Sequence, residues 1–260
     1  MKNIPDGSVD LILCDPPYGT TDCTWDEVLP FGELWAEYNR ILKPNGAAVL
    51  FSAQPFTTQL IESNRKNFRY CWYWVKNMPT GFTYAKYQPM RKVEDVCVFY
   101  RKMPTYNPQG VQKVVGAKVQ QRKAKKGESV YKMSTLLKEH TQRFKNYPKN
   151  VLEFKCERGY HPTQKPVTLL EYLVKTYTNE GDTVLDNCMG SGSAGVAVQK
   201  VGGRHFIGIE QNPEYFGIAE KRIKEVKQKC LKLRLLSEKS TSPTSSTGAS
   251  TTSSWRGGNW

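Results

Sequence analysis

Four residues, Asp15-Pro16-Pro17-Tyr18, follow a run from Val9 to Cys14 that is apolar but for Asp10. The run reads as a strand buried on both faces of a parallel sheet. The prolines donate no ladder bond and fix φ, so the strand ends there. They also hold Asp15 and Pro16 extended. The turn therefore sits at the carboxyl end of a strand, where open α/β sheets bind ligands. It presents one carboxylate, one free carbonyl at Pro16 and one aromatic face at Tyr18. Those groups suit the exocyclic amine of a nucleobase. The Asp15 carboxylate and the Pro16 carbonyl can each accept one of its N–H groups. This favours a pyramidal nitrogen and localises its lone pair for attack, while Tyr18 stacks on the ring. A plain proline-rich turn with a capping Asp uses the same residues, and the rest of the chain must decide.

A second constellation lies far downstream. The strand Thr183-Val184-Leu185 runs into Asp186-Asn187-Cys188-Met189-Gly190-Ser191-Gly192-Ser193. Gly190 and Gly192 permit close backbone approach, and a helix is expected from about Ala194 to Val201, its N-terminus offering N–H groups. The next strand, His205 to Ile209, ends in Glu210, 20 residues after Gly190. That is the spacing at which an acid grips ribose hydroxyls in nucleotide-binding βαβ units. A lone G-x-G means little; strand, loop, helix, strand and acid in register mean much more.

Together these stretches resemble the amino methyltransferases that methylate adenine N6 or cytosine N4 in DNA. Asp-Pro-Pro-Tyr resembles their catalytic motif, and the glycine loop resembles their S-adenosylmethionine (AdoMet) loop. Catalytic motif first and cofactor loop last is the order of the beta class, and the likeness covers roughly residues 1–225. The resemblance implies an AdoMet-dependent, Rossmann-like fold: an open twisted sheet, mostly parallel with one antiparallel hairpin strand, helices on both faces and a basic insertion. It implies catalytic roles for Asp15, Pro16, Pro17 and Tyr18. It implies a cofactor site from Asp186, Cys188, Gly190, Ser191, Gly192 and Glu210. The segment His161-Pro162-Thr163-Gln164-Lys165-Pro166 is similar to the one that packs over the methionine end of AdoMet. His161, Thr163 and Lys165 join the cofactor site on that ground, with Thr163 and Lys165 on the carboxylate. Asp rather than Ser before Pro-Pro-Tyr favours adenine over cytosine. Two departures stand out. Cys188 occupies a position where the family usually has Phe. The strand that usually precedes the catalytic one and contacts the cofactor adenine is not evident upstream of Ser8. Four readings stay open: adenine-N6 methylation of a flipped base in duplex DNA, cytosine-N4 methylation, adenine methylation in RNA, and a non-catalytic DNA-binding relative.

Composition fits a nucleic-acid partner. The 260 residues carry 38 Lys+Arg against 24 Asp+Glu, a net charge of +14. Residues 101–149 hold 13 Lys/Arg against two Glu, so most of that excess lies in one segment. Gln and aromatic residues are interleaved with it. Lys and Arg neutralise phosphates, while Arg and Gln read base edges. Arg122, Lys123, Lys125 and Lys126 are the densest cluster and the expected DNA contacts. Phe82 and Tyr84, in a loop expected from Lys76 to Lys92, are further candidates for the base. The seven cysteines, at positions 14, 23, 71, 97, 156, 188 and 230, include no C-x-x-C pair. Neither a metal site nor a disulfide framework is expected. No apolar run of about 18 residues exists, so no membrane span is expected. The cytoplasm is the expected compartment, and a homodimer is admitted among the partners.

The elements that must position these residues can be read in outline. Helices are expected over 34–42, 56–64 and 167–177, the first closed by Lys43-Pro44-Asn45-Gly46. Strands are expected over 47–51, 69–75 and 93–100. Trp72 and Trp74 should pack in the core. Residues 1–100 then form the catalytic half, 101–150 the target-recognition insertion and 151–236 the cofactor half. A basic helix is expected from Tyr215 to Leu236, and 237–260, rich in Ser, Thr and Gly, should be a disordered tail.

Overall fold

The computed structural model describes residues 1–20, 26–116, 119–120, 140–160 and 163–241. A seven-stranded sheet runs in the order β11-β10-β1-β2-β4-β3-β9. The strands are β1 (Val9–Cys14), β2 (Leu42–Ser52), β3 (Phe68–Thr80), β4 (Arg91–Tyr100), β9 (Val151–Phe154), β10 (Thr183–Asp186) and β11 (His205–Gly208). Every neighbouring pair is parallel except β2–β4 and β3–β4. So β4 alone runs against the rest, as expected of a hairpin strand. Between β4 and β9 lie two short antiparallel ladders. One pairs β5 (Gln112–Lys113) with β8 (Phe144–Lys145), the other β6 (Val119–Gln120) with β7 (His140–Thr141).

Helices cover both faces. On one face α1 (Phe31–Ile41) and α2 (Phe56–Ser63) pack on Ile12, Cys14, Ala48, Leu50 and Leu185. Leu34, Trp35, Tyr38 and Ile41 recur on one stripe of α1, and all four are buried. On the other face α3 (Val167–Tyr177) and α4 (Ser193–Val201) cover Leu11, Leu13, Val49 and Val184. The last helix, α5 (Pro213–Thr241), packs on α4 through Ile223 and Val226. Truncating a fully buried leucine such as Leu11 or Leu185 to alanine would cost about 2–5 kcal/mol. Trp72 and Trp74 are core residues, each donating its indole N–H, to the Tyr177 hydroxyl at 2.7 Å and the Phe154 carbonyl at 2.9 Å.

Three elements differ from expectation. The Lys43–Gly46 stretch does not lie outside the sheet but is absorbed as a bulge in β2. Val9 pairs with Leu42 and Leu11 with Ala47, so Lys43 to Gly46 stand opposite Asp10 alone. Gly46 allows this, because a Cβ there would lie 3.0–3.1 Å from the Asp10 and Val9 carbonyls. Lys43 fastens the bulge to Asp10 at 2.7 Å. The strands of the hairpin are longer than expected, running to Thr80 and from Arg91, so Lys76 belongs to a strand. The final helix continues to Thr241, five residues into the stretch expected to be disordered; residues 242–260 lie outside the described residues.

A candidate active site between two parallel strands

The Asp15–Tyr18 turn is held by a residue that sequence reasoning missed. The Asp26 carboxylate accepts the backbone N–H groups of Tyr18, Gly19 and Thr20 at 2.7, 3.0 and 2.9 Å. Gly19 takes a positive φ of 65°, so a residue without Cβ suits the bend. Asp15 is engaged on both oxygens. Tyr18 donates its hydroxyl to Oδ1 at 2.6 Å, and Lys165 donates to Oδ2 at 2.6 Å. Burial, then the charges of Asp15 and Glu94, push the Tyr18 phenol well above its ordinary range, so it stays a donor. One face of the Tyr18 ring stacks on Phe56 with centroids 5.0 Å apart. Pro16 is buried against the cavity and Pro17 lines it half-exposed.

β10 lies directly beside β1, with Leu11 opposite Val184 and Ile12 opposite Leu185. Its carboxyl end carries the glycine loop to the same edge of the sheet. Asp186 is buried, and desolvation pushes its carboxyl up to about 7, although it accepts the Cys188 N–H at 3.1 Å. Glu210 bridges two backbones. Its Oε2 accepts Gly190 N–H and its Oε1 accepts Asn212 N–H, both at 2.8 Å. Asn212, not Glu210, caps α5, accepting from Glu214 N–H at 2.9 Å. Ser191 is pinned by Arg222, which reaches its carbonyl and, at 3.0 Å, its hydroxyl. Arg222 also lies 4.0 Å over the Tyr160 ring.

The two glycines have different work. Gly190 has φ 50° and open space where a Cβ would be. Gly192 has φ 80°, and a Cβ there would lie 2.7 Å from the Ala219 Cβ. Its close approach is therefore to α5. A side chain at Gly190 would thus meet open space, whereas one at Gly192 would meet α5.

One cavity of about 930 Å³ joins the halves. Asp15, Tyr18, Thr163, Lys165, Asp186, Cys188, Gly190, Ser191 and Glu210 line it. Gly192 does not; His161 lies outside the described residues, as do Arg122, Lys123, Lys125 and Lys126. Lys165, expected on a cofactor carboxylate, is ion-paired with Asp15 at 2.6 Å and Glu94 at 3.4 Å. Its ammonium therefore lies beside the Asp15 turn, where these two carboxylates hold it. The cavity fits a nucleoside-bearing cofactor. Ser193 Oγ is buried at the loop with no hydrogen bond, Gly190 leaves room for a ring or ribose, and Glu210 keeps spare acceptor capacity. Phe82 and Tyr84 are 81% and 60% exposed at the tip of the β3–β4 hairpin, and the strand ends that enter this tip, at Thr80, Arg91 and Val93, line the cavity.

Besides Asp26, sequence reading missed Lys76, Glu94 and Arg222. A buried charge leaves no local pattern, because its partner lies 18 residues away for Lys76 and 31 for Arg222.

Comparison with known proteins agrees with this geometry. The N6/N4 methyltransferase family, described as DNA methylase, matches residues 9–221. Type II methyltransferase M.HpaI of Haemophilus parainfluenzae is 31% identical over 244 residues, covering 86% of this chain and 70% of the relative. DNA adenine methyltransferase YhdJ of Escherichia coli K12 is 30% identical over 241 residues, covering 86% and 79%. Among solved structures, the M1.HpyAVI–SAM complex superposes with a TM-score of 0.57 at 26% identity, covering 85% of this chain and 90% of that one. PvuII DNA methyltransferase (cytosine-N4-specific) gives 0.59 at 16% identity over 89% and 88%, a likeness of fold. With the catalytic turn and the glycine loop on adjacent strands of one such sheet, the chain belongs to the N6/N4 DNA methylase family.

Proposed function

We propose that this chain transfers a methyl group from AdoMet to adenine N6 of a base flipped out of duplex DNA. The observation that carries the reading is the single cavity holding both the Asp15-Pro16-Pro17-Tyr18 turn and the Asp186–Glu210 loop system. AdoMet supplies a methyl group made electrophilic by its sulfonium. Glu210, the Gly190 backbone and Ser193 hold its nucleoside end, with Thr163 towards the methionine end. Asp15 Oδ2 and the Pro16 carbonyl accept the two N–H groups of the target amine. That fixes the nitrogen in line with the methyl group, so catalysis is mostly positioning. The nitrogen lone pair forms the new N–C bond as the C–S bond breaks, and the surplus N6 proton leaves to water. Tyr18 offers the base its ring face opposite Phe56.

The basic segment 101–149 and the exposed Phe82 and Tyr84 supply the DNA contacts, by phosphate neutralisation and by stacking on the extruded base. Adenine is favoured by the Asp that opens the catalytic motif and by likeness to a DNA adenine methyltransferase. Cytosine N4 is the second reading, since the family whose model matches takes in both amines. No described helix is long and apolar enough to cross a membrane. We place the enzyme in the cytoplasm, with duplex DNA as its partner; dimerisation stands with this reading.

The test is transfer of labelled methyl from AdoMet to duplex DNA, single strands and RNA, followed by nucleoside analysis. N6-methyladenine from duplex DNA is expected. N4-methylcytosine would move the second reading first, and label in RNA alone would reassign the substrate. AdoMet-independent DNA binding with no transfer would make the chain a non-catalytic relative.

A further inference from the structure

Four charged side chains lining the cavity form one connected row. Lys76 Nζ lies 3.0 Å from Glu94 Oε1, Glu94 Oε2 lies 3.4 Å from Lys165 Nζ, and Lys165 Nζ lies 2.6 Å from Asp15 Oδ2. Their side chains are 5%, 17%, 9% and 26% exposed in that order. The charges alternate, so the row is neutral. Only the last member faces the target amine. An ion-paired row this deep is a weak contributor to stability, because desolvation offsets much of the attraction. It calls for another account.

The row bears on how Asp15 can accept the amine. Each of its oxygens already accepts one bond, Oδ1 from the Tyr18 hydroxyl and Oδ2 from Lys165. A carboxylate oxygen can accept two, so the place of Lys165 sets where the remaining Oδ2 lone pair points. Glu94 Oε2 is buried and faces Lys165 from the other side at 3.4 Å. The other oxygen, Oε1, is held by Lys76, which also donates to Thr80 Oγ1 at 3.2 Å. Lys76 thus keeps Oε2 aimed at Lys165. The Phe51 and Tyr18 rings lie 5.2 and 5.8 Å from the same ammonium and favour its staying charged.

We propose that Glu94 is a positioning residue for methyl transfer. It holds Lys165 in place against Asp15 Oδ2, so that the carboxylate keeps the orientation in which its remaining lone pair accepts the amine N–H. The inference rests on the amino methyltransfer reading above. It assigns Lys165 to the acceptor side of the reaction, not to the cofactor carboxylate.

The test uses the full chain in single-turnover methylation of duplex DNA, with AdoMet and DNA affinities measured separately. Glu94→Gln should lower the single-turnover rate about tenfold to a hundredfold, the scale of one positioned polar group. Both dissociation constants should move less than about threefold. Glu94→Asp, which keeps the charge one methylene further back, should fall between Glu94→Gln and the wild type. In a Lys165→Met background, Glu94→Gln should add less than about threefold, because Glu94 acts only through Lys165. Full additivity in that background overturns the proposal, as does a Glu94→Gln rate within about threefold of wild type. A loss confined to AdoMet affinity overturns it too. Should Glu94→Gln fail to fold, Glu94→Asp decides. A rate loss of about fivefold or more at unchanged AdoMet affinity supports the role, and an unchanged rate removes it. A wild-type chain that methylates no nucleobase amine at all would instead sink the underlying function.

Discussion

Replacing Glu210 by alanine separates two jobs that its position combines. Within the protein it straps Gly190 to Asn212 through two backbone N–H bonds of 2.8 Å. A hydrogen bond to a charged acceptor contributes about 1.5–3 kcal/mol. Glu210 is only half-buried, so water replaces part of each. A net loss of about 1–3 kcal/mol follows, which in a domain of this size lowers Tm by roughly 2–12 °C. Towards the ligand, each carboxylate oxygen keeps a lone pair for a ribose hydroxyl. Losing that grip should weaken AdoMet tenfold to a hundredfold, about 1.4–2.8 kcal/mol. DNA affinity should stay near wild type. Calorimetry gives the AdoMet dissociation constant, and melting with and without AdoMet gives both quantities on one sample, since a bound ligand raises Tm by mass action. Glu210→Gln, which keeps one acceptor, should fall between. An AdoMet constant within twofold of wild type alongside a lowered Tm would refute the ribose contact and leave Glu210 a strap alone. An unchanged Tm would refute the strap.

Four further outcomes are expected. Asp15→Ala should reduce methyl transfer more than about a hundredfold while AdoMet affinity stays within about threefold; near-normal turnover would remove Asp15 from the chemistry. Neutralising Lys123, Lys125 and Lys126 together should weaken binding to every DNA sequence and reduce the log–log salt slope by about one per lost phosphate contact; an unchanged slope would put the cluster away from DNA. Burial pushes Asp186 up to about 7, above its unfolded value. The native state then holds a proton that the unfolded chain has released, so stability should fall as pH rises from about 4 to about 7. Asp186→Asn should flatten that decline, and an undiminished slope in urea titrations would assign it to other groups. Gly192→Val should lower Tm through its contact with Ala219 and the strain of a branched residue at φ 80°; a variant melting like the wild type would show that α5 shifts to make room.

What could be read from sequence was what local pattern encodes. Leu11 to Cys14 is apolar throughout because it is buried on both faces, and the two prolines mark where it ends. The glycine loop announces itself by strand, turn and helix in fixed order. The edge strand Val151–Phe154 was missed, because four residues with Leu152 alone buried give no periodic signal. Lys76 read as the start of a loop because lysine is almost never buried unless paired. Its partner, Glu94, stands on the neighbouring strand, and only the β3–β4 register brings them together. The same holds for Asp26, whose three backbone bonds depend on the loop folding back over the turn. Gly192 was assigned to the ligand on motif grounds. Only the packing of α5 shows what its missing side chain makes room for.

The pairing of β1 with β10 also sets a timetable. Asp10 accepts the backbone N–H of Thr183, a contact spanning 173 residues of chain. At about 5–20 residues per second, synthesis of the intervening stretch takes on the order of 10–30 s. Through that interval β1 has β2 on one side and, on the other, an open edge that β10 will cover. An apolar strand with an unpaired edge is a template for wrong partners. The nascent chain is thus most exposed to aggregation before β10 emerges. The cavity that Asp15 and Glu210 both line is complete only when β11 and the residues after it have been made.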